Sequence, residues 1–202
     1  MDSKITAVLD IYDARIREEH NMPREAYSLD SINQRLLAVG PDTGQFINIL
    51  ARSLKAPKIL EIGTSYGYSG IWLAEAARAS GGRLTTMELH DFKSAYAQDM
   101  SRQAGLAEHV DFRVGDAVQM ITELPTGIDF VLLDLWKDLY VPCLEAFYPK
   151  LNPGAIIVAD NMVYPGGEAV QRYGIAVRAK KGMRSVLLPI GSGLEVSRYE
   201  QN

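Results

Sequence analysis

Three oxygen-bearing side chains stand where two apolar runs stop. Asp134 closes IDFVLLD, and Asp160 with Asn161 closes AIIVADN. If the two runs are neighbouring strands, two carboxylates and one amide oxygen meet above the sheet. They are hard ligands suited to a divalent cation of the magnesium type, which keeps several of its waters. Three protein oxygens leave room for a substrate that binds through two of its own. Each part also has an ordinary use: Asp-Asn after a strand makes a turn or helix cap, and Asp134 could bind an amine or cap the next helix. Lys137 follows within Asp134-Leu135-Trp136-Lys137-Asp138. A lysine beside a cation and partly desolvated has its charged form disfavoured and can accept a proton, whereas the ordinary alternative is an exposed surface lysine. Trp136, in the same polar loop, suits a pocket wall as well as core packing, and Tyr164-Pro165-Gly166-Gly167 reads as a loop at the rim.

A second group suits a cofactor. In Glu61-Ile62-Gly63-Thr64-Ser65-Tyr66-Gly67-Tyr68-Ser69, Gly63 and Gly67 let the backbone turn tightly against a ligand, and Ser69 offers a hydroxyl near a helix N-terminus. A plain strand-to-helix turn also uses glycine. The spacing is not the three-glycine nicotinamide fingerprint, and it suits a carboxylate-and-amine ligand better than a pyrophosphate. Glu88 ends RLTTMEL, where an acid can accept from both ribose hydroxyls or simply face solvent. After HVDFRV comes Gly115-Asp116-Ala117, in which Asp116 could accept from an adenine amino group or cap a helix.

To bring these groups together the chain must alternate strands and helices. KILEIG, RLTTMEL, HVDFRVG, IDFVLLD and AIIVAD are five apolar runs separated by helical stretches, the pattern of a parallel sheet covered on both faces. SVLLPI and LEVSRY then alternate around GSG, a hairpin signal. The expectation is an α/β, Rossmann-like methyltransferase fold: a mostly parallel seven-stranded sheet with a C-terminal antiparallel hairpin and helices on both faces. Fold analogy carries that choice over a dinucleotide-binding relative. Residues 1–54 read as a helical N-terminal segment and 55–202 as the α/β core of one domain. Within the first segment Ile5, Val8, Leu9 and Tyr12 form one stripe, Ile32, Leu36 and Leu37 a second, and a helix capped at Asp42 carries Phe46, Ile47, Leu50 and Leu54.

Composition narrows the partners. The 202 residues carry a net charge of -4 and are 47% hydrophobic, which gives no global positive field for nucleic acid or an acidic membrane. No apolar run approaches the roughly 20 residues that cross a bilayer. Cys143 is the lone cysteine and cannot form an intramolecular disulfide, and the N-terminus is too polar for a signal peptide, so the cytoplasm is the default compartment. Arg172, Arg178, Lys180, Lys181 and Arg184 read as a solvated face, with docking of an acidic substrate as the alternative; His20, His90 and His109 are isolated from one another. A small molecule is the expected partner, and the helical N-terminal segment is a candidate homodimer contact.

IDFVLLDLWKDLY followed by AIIVADNMVYPG resembles catechol O-methyltransferase and the wider metal-dependent O-methyltransferase family. The resemblance runs from about Asp42 to Tyr199, with LEIGTSYGYS as the cofactor loop and SVLLPIGSGLEVSRY as the closing hairpin. It implies transfer of a methyl group from S-adenosylmethionine to one hydroxyl of a catechol-like molecule. It further implies Asp134, Asp160 and Asn161 as ligands of Mg2+ or another divalent cation, Lys137 as general base, and Gly63, Ser69 and Glu88 as cofactor contacts. Trp136 would lie beside both cofactor and aromatic ring, and Lys137, Asn161 and Pro165 would border the substrate. Two positions depart from the family pattern. Leu135 stands where catechol O-methyltransferase usually has histidine near the adenosine, and no residue matches the family's glutamate against the free hydroxyl, Glu195 being placed in the hairpin. The rival readings are a nicotinamide-dependent oxidoreductase, which would not need the three oxygen ligands together, and a non-catalytic protein that keeps the cofactor pocket.

Overall fold

Residues 130–133 show how the sheet is made. Phe130 and Leu132 point into one apolar core while Val131 and Leu133 point into another, so this strand must be apolar at every position. It is β4 (Ile128–Leu133), the centre of a seven-stranded sheet in the computed structural model, which describes residues 1–21 and 32–201. The other strands are β1 (Lys58–Ile62), β2 (Arg83–Glu88), β3 (Val110–Val114), β5 (Leu151–Ala159), β6 (Met183–Leu188) and β7 (Leu194–Tyr199), in the order β3-β2-β1-β4-β5-β7-β6. Strands β1 to β5 pair in parallel, and β7 runs antiparallel to both β5 and β6. The expected fold class is the one observed.

Helices cover both faces. On one side α1 (Ser3–His20), α2 (Pro41–Arg52), α3 (Tyr68–Ser80) and α4 (Asp91–Gln103) bury Ile5, Tyr12, Ile47, Ile71 and Met100 against the sheet. On the other, α5 (Ala117–Glu123), α6 (Tyr140–Phe147) and α7 (Glu168–Ala179) bury Ile121, Leu144, Phe147, Tyr173 and Val177. The chain steps outward from β1 to β3 and then returns to lay β4 against the free side of β1. That reversal opens a crevice at the carboxyl ends of β1 and β4, the usual ligand position in such sheets.

The N-terminal reading needs correction. Leu36 and Leu37 are not helical: Leu37 is exposed with φ at 48°, and the Leu36 amide donates to the Glu19 carboxylate at 2.9 Å rather than to a helical carbonyl. A tertiary partner has captured the backbone there. Nor does Asp42 cap the following helix, which starts after Gly40 with Pro41 in its first position and Asp42 in its first turn. Proline's fixed φ and missing N–H suit that place. The expected helix over LYVPCLEAFYPKL stops at Phe147, and β5 begins at Leu151, earlier than expected, with a register irregularity against β4. The part of the helical reading on residues 22–31 and the His20 side chain lie outside the described residues.

Candidate active site

The Asp134 amide donates to the Ile62 carbonyl at 2.9 Å and the Asp160 amide to the Leu133 carbonyl at 3.1 Å, so both acids extend the parallel ladder by one rung past the strand ends. Gly63, with φ at 105°, passes directly against Asp134; a Cβ there would run into the Asp134 carbonyl oxygen. After Asp134 the backbone makes a tight turn, Leu139 N–H to Trp136 C=O at 2.9 Å, and enters α6. This puts Lys137 and Tyr140 on the side of the strand ends. Beyond β5 the chain turns at Asn161, whose φ of 59° is a conformation asparagine tolerates better than most residues. The segment that follows is held by the loop between β6 and β7: Met162 N–H donates to Gly193 C=O at 2.9 Å, and Val163 and Tyr164 N–H donate to Ser192 C=O at 3.0 and 2.9 Å.

The Lys137 ammonium lies among three oxygens. It donates to Asn161 Oδ1 at 2.6 Å, to Tyr140 Oη at 2.8 Å and to Asp134 Oδ1 at 3.1 Å. The Tyr140 hydroxyl in turn donates to the Asp160 carbonyl at 3.0 Å. Burial, together with Asp134 and Asp160, pushes the Tyr140 phenol well above its usual value, so it stays protonated. Asp160 is 1% exposed, and its Oδ1 is buried with no hydrogen-bond partner among the described residues. Burial and the neighbouring Asp134 raise its pKa above the carboxylate range. A buried carboxylate oxygen without a partner is costly, and a cation is the natural remedy. With Asp134 and Asn161 already converging on one positive group, the donor set fits a divalent ion. It is two carboxylates and an amide; no cluster of three His, Cys, Asp or Glu side chains occurs among the described residues.

Below Gly63 lies a hydroxyl-carboxylate network. Glu61 is fully buried; Ser69 Oγ donates to its Oε1 at 2.6 Å and Thr86 Oγ1 to its Oε2 at 2.5 Å. Burial dominates and pushes the Glu61 carboxyl up to about 7, with the two hydroxyls pulling the other way. Glu88 accepts the Ser65 amide at 2.8 Å and the His90 amide at 3.0 Å, tying the loop 63–67 to the end of β2.

A family model described as O-methyltransferase matches residues 20–198. The chain belongs to the O-methyltransferase family. It is 35% identical over 143 residues to a catechol O-methyltransferase of Niastella koreensis, covering 69% of this chain and 64% of that enzyme. With the catechol O-methyltransferase of Bos taurus it is 31% identical over 156 residues, 74% of this chain and 56% of the relative. The matches thus span about three fifths of these relatives' own lengths. Among solved structures, the O-methyltransferase TomG of Streptomyces achromogenes, involved in tomaymycin synthesis and in complex with SAM, superposes with a TM-score of 0.76 at 25% identity, over 100% of this chain and 91% of that one.

Within this family frame, the residues singled out from sequence fall into two groups. Asp134, Lys137, Asp160 and Asn161 come together, and Gly63, Ser69 and Glu88 line the adjoining turn at the ends of β1 and β2. Trp136 is 55% exposed at the rim, as are Val163, Tyr164 and Pro165. Asp116 caps α5 through the Gln119 amide at 2.8 Å, and Ala117 is the first residue of that helix. Most of the basic run is ion-paired: Arg172 with Glu168, Arg178 with Glu195, Lys180 with Glu145 and Arg184 with Glu200. That pairing supports the solvated-face reading and leaves Glu195 buried on Arg178, not facing a substrate. Glu61 and Tyr140 carry no role in the sequence reading. An acid inside the apolar run KILEIG was the signal for Glu61; Tyr140 looks like any core residue of an amphipathic helix.

Proposed function

We propose that the protein is an S-adenosylmethionine-dependent O-methyltransferase acting on a vicinal dihydroxy aromatic small molecule, with a divalent cation, of the magnesium type, held by Asp134, Asp160 and Asn161. One observation carries this reading: Asp134 and Asn161 share a positive group beside the unpartnered Asp160 oxygen, at the crevice where the family's cofactor loop ends. When bound, the cation would supply the charge that orients two adjacent substrate oxygens and favours loss of a proton from one. Lys137, drawn off Asp134 and Asn161, would take that proton at Nζ. Gly63 would let the amino-acid end of the methyl donor approach the backbone, with Ser69 beneath it holding Glu61, and Glu88 keeps unused lone pairs for the ribose hydroxyls although both oxygens already accept an amide. Trp136 and Pro165, both exposed, would form the rim against which a flat ring can rest. Catechol as the diol is suggested by the relatives' names. The lone cysteine, buried Cys143, fits a cytoplasmic setting, and no helix among the described residues is long and apolar enough to cross a membrane.

The test supplies methyl-labelled S-adenosylmethionine and magnesium with a panel of aromatic vicinal diols and their single-hydroxyl analogues, read by mass spectrometry. Label should enter the diols only, vanish in excess EDTA and return with added magnesium. Undiminished transfer in EDTA would refute the cation, and cofactor binding without turnover on any diol would favour a non-catalytic binder.

A further inference from the structure

We infer that Tyr140 is a positioning residue for the methyl-transfer reaction: its phenol anchors the Lys137 amine and sets the direction in which that amine faces the substrate. The inference rests on the reading of Lys137 as the base. Of the three oxygens around Lys137 Nζ, those of Asp134 and Asn161 are the ones a cation would claim, so Tyr140 Oη is the partner that remains. Its own geometry is fixed from three sides. The ring is fully buried, it packs edge-on against Tyr173 at 5.4 Å, and its hydroxyl proton is committed to the Asp160 carbonyl. A hydroxyl whose proton points one way presents its lone pairs the other way, toward Lys137. Nζ can therefore satisfy that lone pair with one hydrogen and is held facing a defined direction. The lysine stem has four rotatable bonds and loses much entropy when held; a rigid acceptor three residues along the same turn supplies that hold. Because the carbonyl that orients the phenol belongs to Asp160, the anchor is registered to the same strand end as the acidic ligands.

The test combines kinetics with a readout that needs neither metal nor cofactor. Single-turnover methyl transfer is measured for wild type, Tyr140→Phe, Lys137→Met and the double variant, with circular dichroism and thermal melting to confirm folding. In parallel, brief acetylation of the ligand-free protein is followed by mass spectrometry, taking exposed Lys181 as internal reference. Tyr140→Phe should slow transfer by about tenfold or more, part of the roughly 10²–10⁴ that a general base supplies, with little change in KM or cofactor affinity. In the Lys137→Met background the same substitution should change the rate by less than about twofold, since two residues acting as one unit are non-additive. Acetylation of Lys137 should rise severalfold relative to Lys181. Equal slowing of wild type and Lys137→Met by Tyr140→Phe, or unaltered Lys137 labelling, overturns the positioning role. Lys137→Met at the wild-type rate sinks the base itself, whereas a slow Lys137→Met beside a fast Tyr140→Phe sinks only the role of Tyr140.

Discussion

Replacing Glu61 by glutamine should make the folded protein more stable at alkaline pH and leave it nearly unchanged at acid pH. Glu61 is wholly inside the protein, and the carboxyl sits at about 7 against an ordinary value near 4.5. The folded state therefore holds this proton more tightly than the unfolded chain does. Its contribution to stability is complete below about pH 4.5 and is lost as pH climbs through about 7. The gap, at about 1.4 kcal/mol for each pH unit, comes to roughly 3 kcal/mol. Glutamine copies the neutral acid: one oxygen still accepts from a hydroxyl, and the amide can donate to Ser69 or Thr86, whose hydroxyls rotate to suit. Urea unfolding from pH 5.5 to 9 is the assay. Asp160 is raised in the same direction and contributes to the wild-type slope, so the quantity to read is the difference between variant and wild type. That difference should be roughly 1–1.5 kcal/mol at pH 5.5 and grow to roughly 3 kcal/mol in favour of glutamine by pH 9. Parallel stability curves for the two proteins would refute the reasoning, because they would mean that Glu61 titrates alike in folded and unfolded chains.

Two further outcomes follow from the cofactor turn. Glu88→Gln should weaken S-adenosylhomocysteine binding by about tenfold or more in calorimetry and cost roughly 1–3 kcal/mol of stability, since an amide cannot accept from both the Ser65 and His90 N–H groups; unchanged affinity in the folded variant would leave Glu88 as a loop tether only. Gly63→Ala should lower stability by more than Gly40→Ala: both sit at positive φ and would carry roughly 1–3 kcal/mol of backbone strain, and at Gly63 the Cβ also meets the Asp134 carbonyl, whereas Gly40 has open space around it. Equal thermal shifts for the two glycines would remove the clash from the account.

The central strands were legible because a strand buried on both faces must be a continuous apolar run, as in Phe130 to Leu133. The proposed ligand set stood out for a related reason: the charged and amide residues Asp134, Asp160 and Asn161 interrupt such runs at their carboxyl ends. Local pattern failed where a distant side chain decided the backbone. Leu36 and Leu37 keep helical spacing, yet the Glu19 carboxylate takes the Leu36 amide and the helix ends. Asp42 has the composition of a cap, but Pro41 starts the helix before it. Tyr140 was hidden because its role lies in two hydrogen bonds, one to a side chain on the preceding turn and one to a carbonyl on another strand. Asp116 caps α5 through Oδ1, a use that leaves its other oxygen open.

The amide contacts between residues 162–164 and Ser192 and Gly193 carry a consequence for the order in which the molecule becomes competent during synthesis. Strands β1 to β5 and their helices emerge first, but the turn that holds Asn161 gains its backbone partners only when β7 has docked against β5. A nascent chain stalled before β7 would carry Asp134 and Lys137 without a fixed Asn161 opposite them. Affinity for the proposed cation should therefore arrive after most of the sheet has emerged, as a late, long-range closure whose loop entropy delays it, and mutations that slow hairpin docking would delay activity.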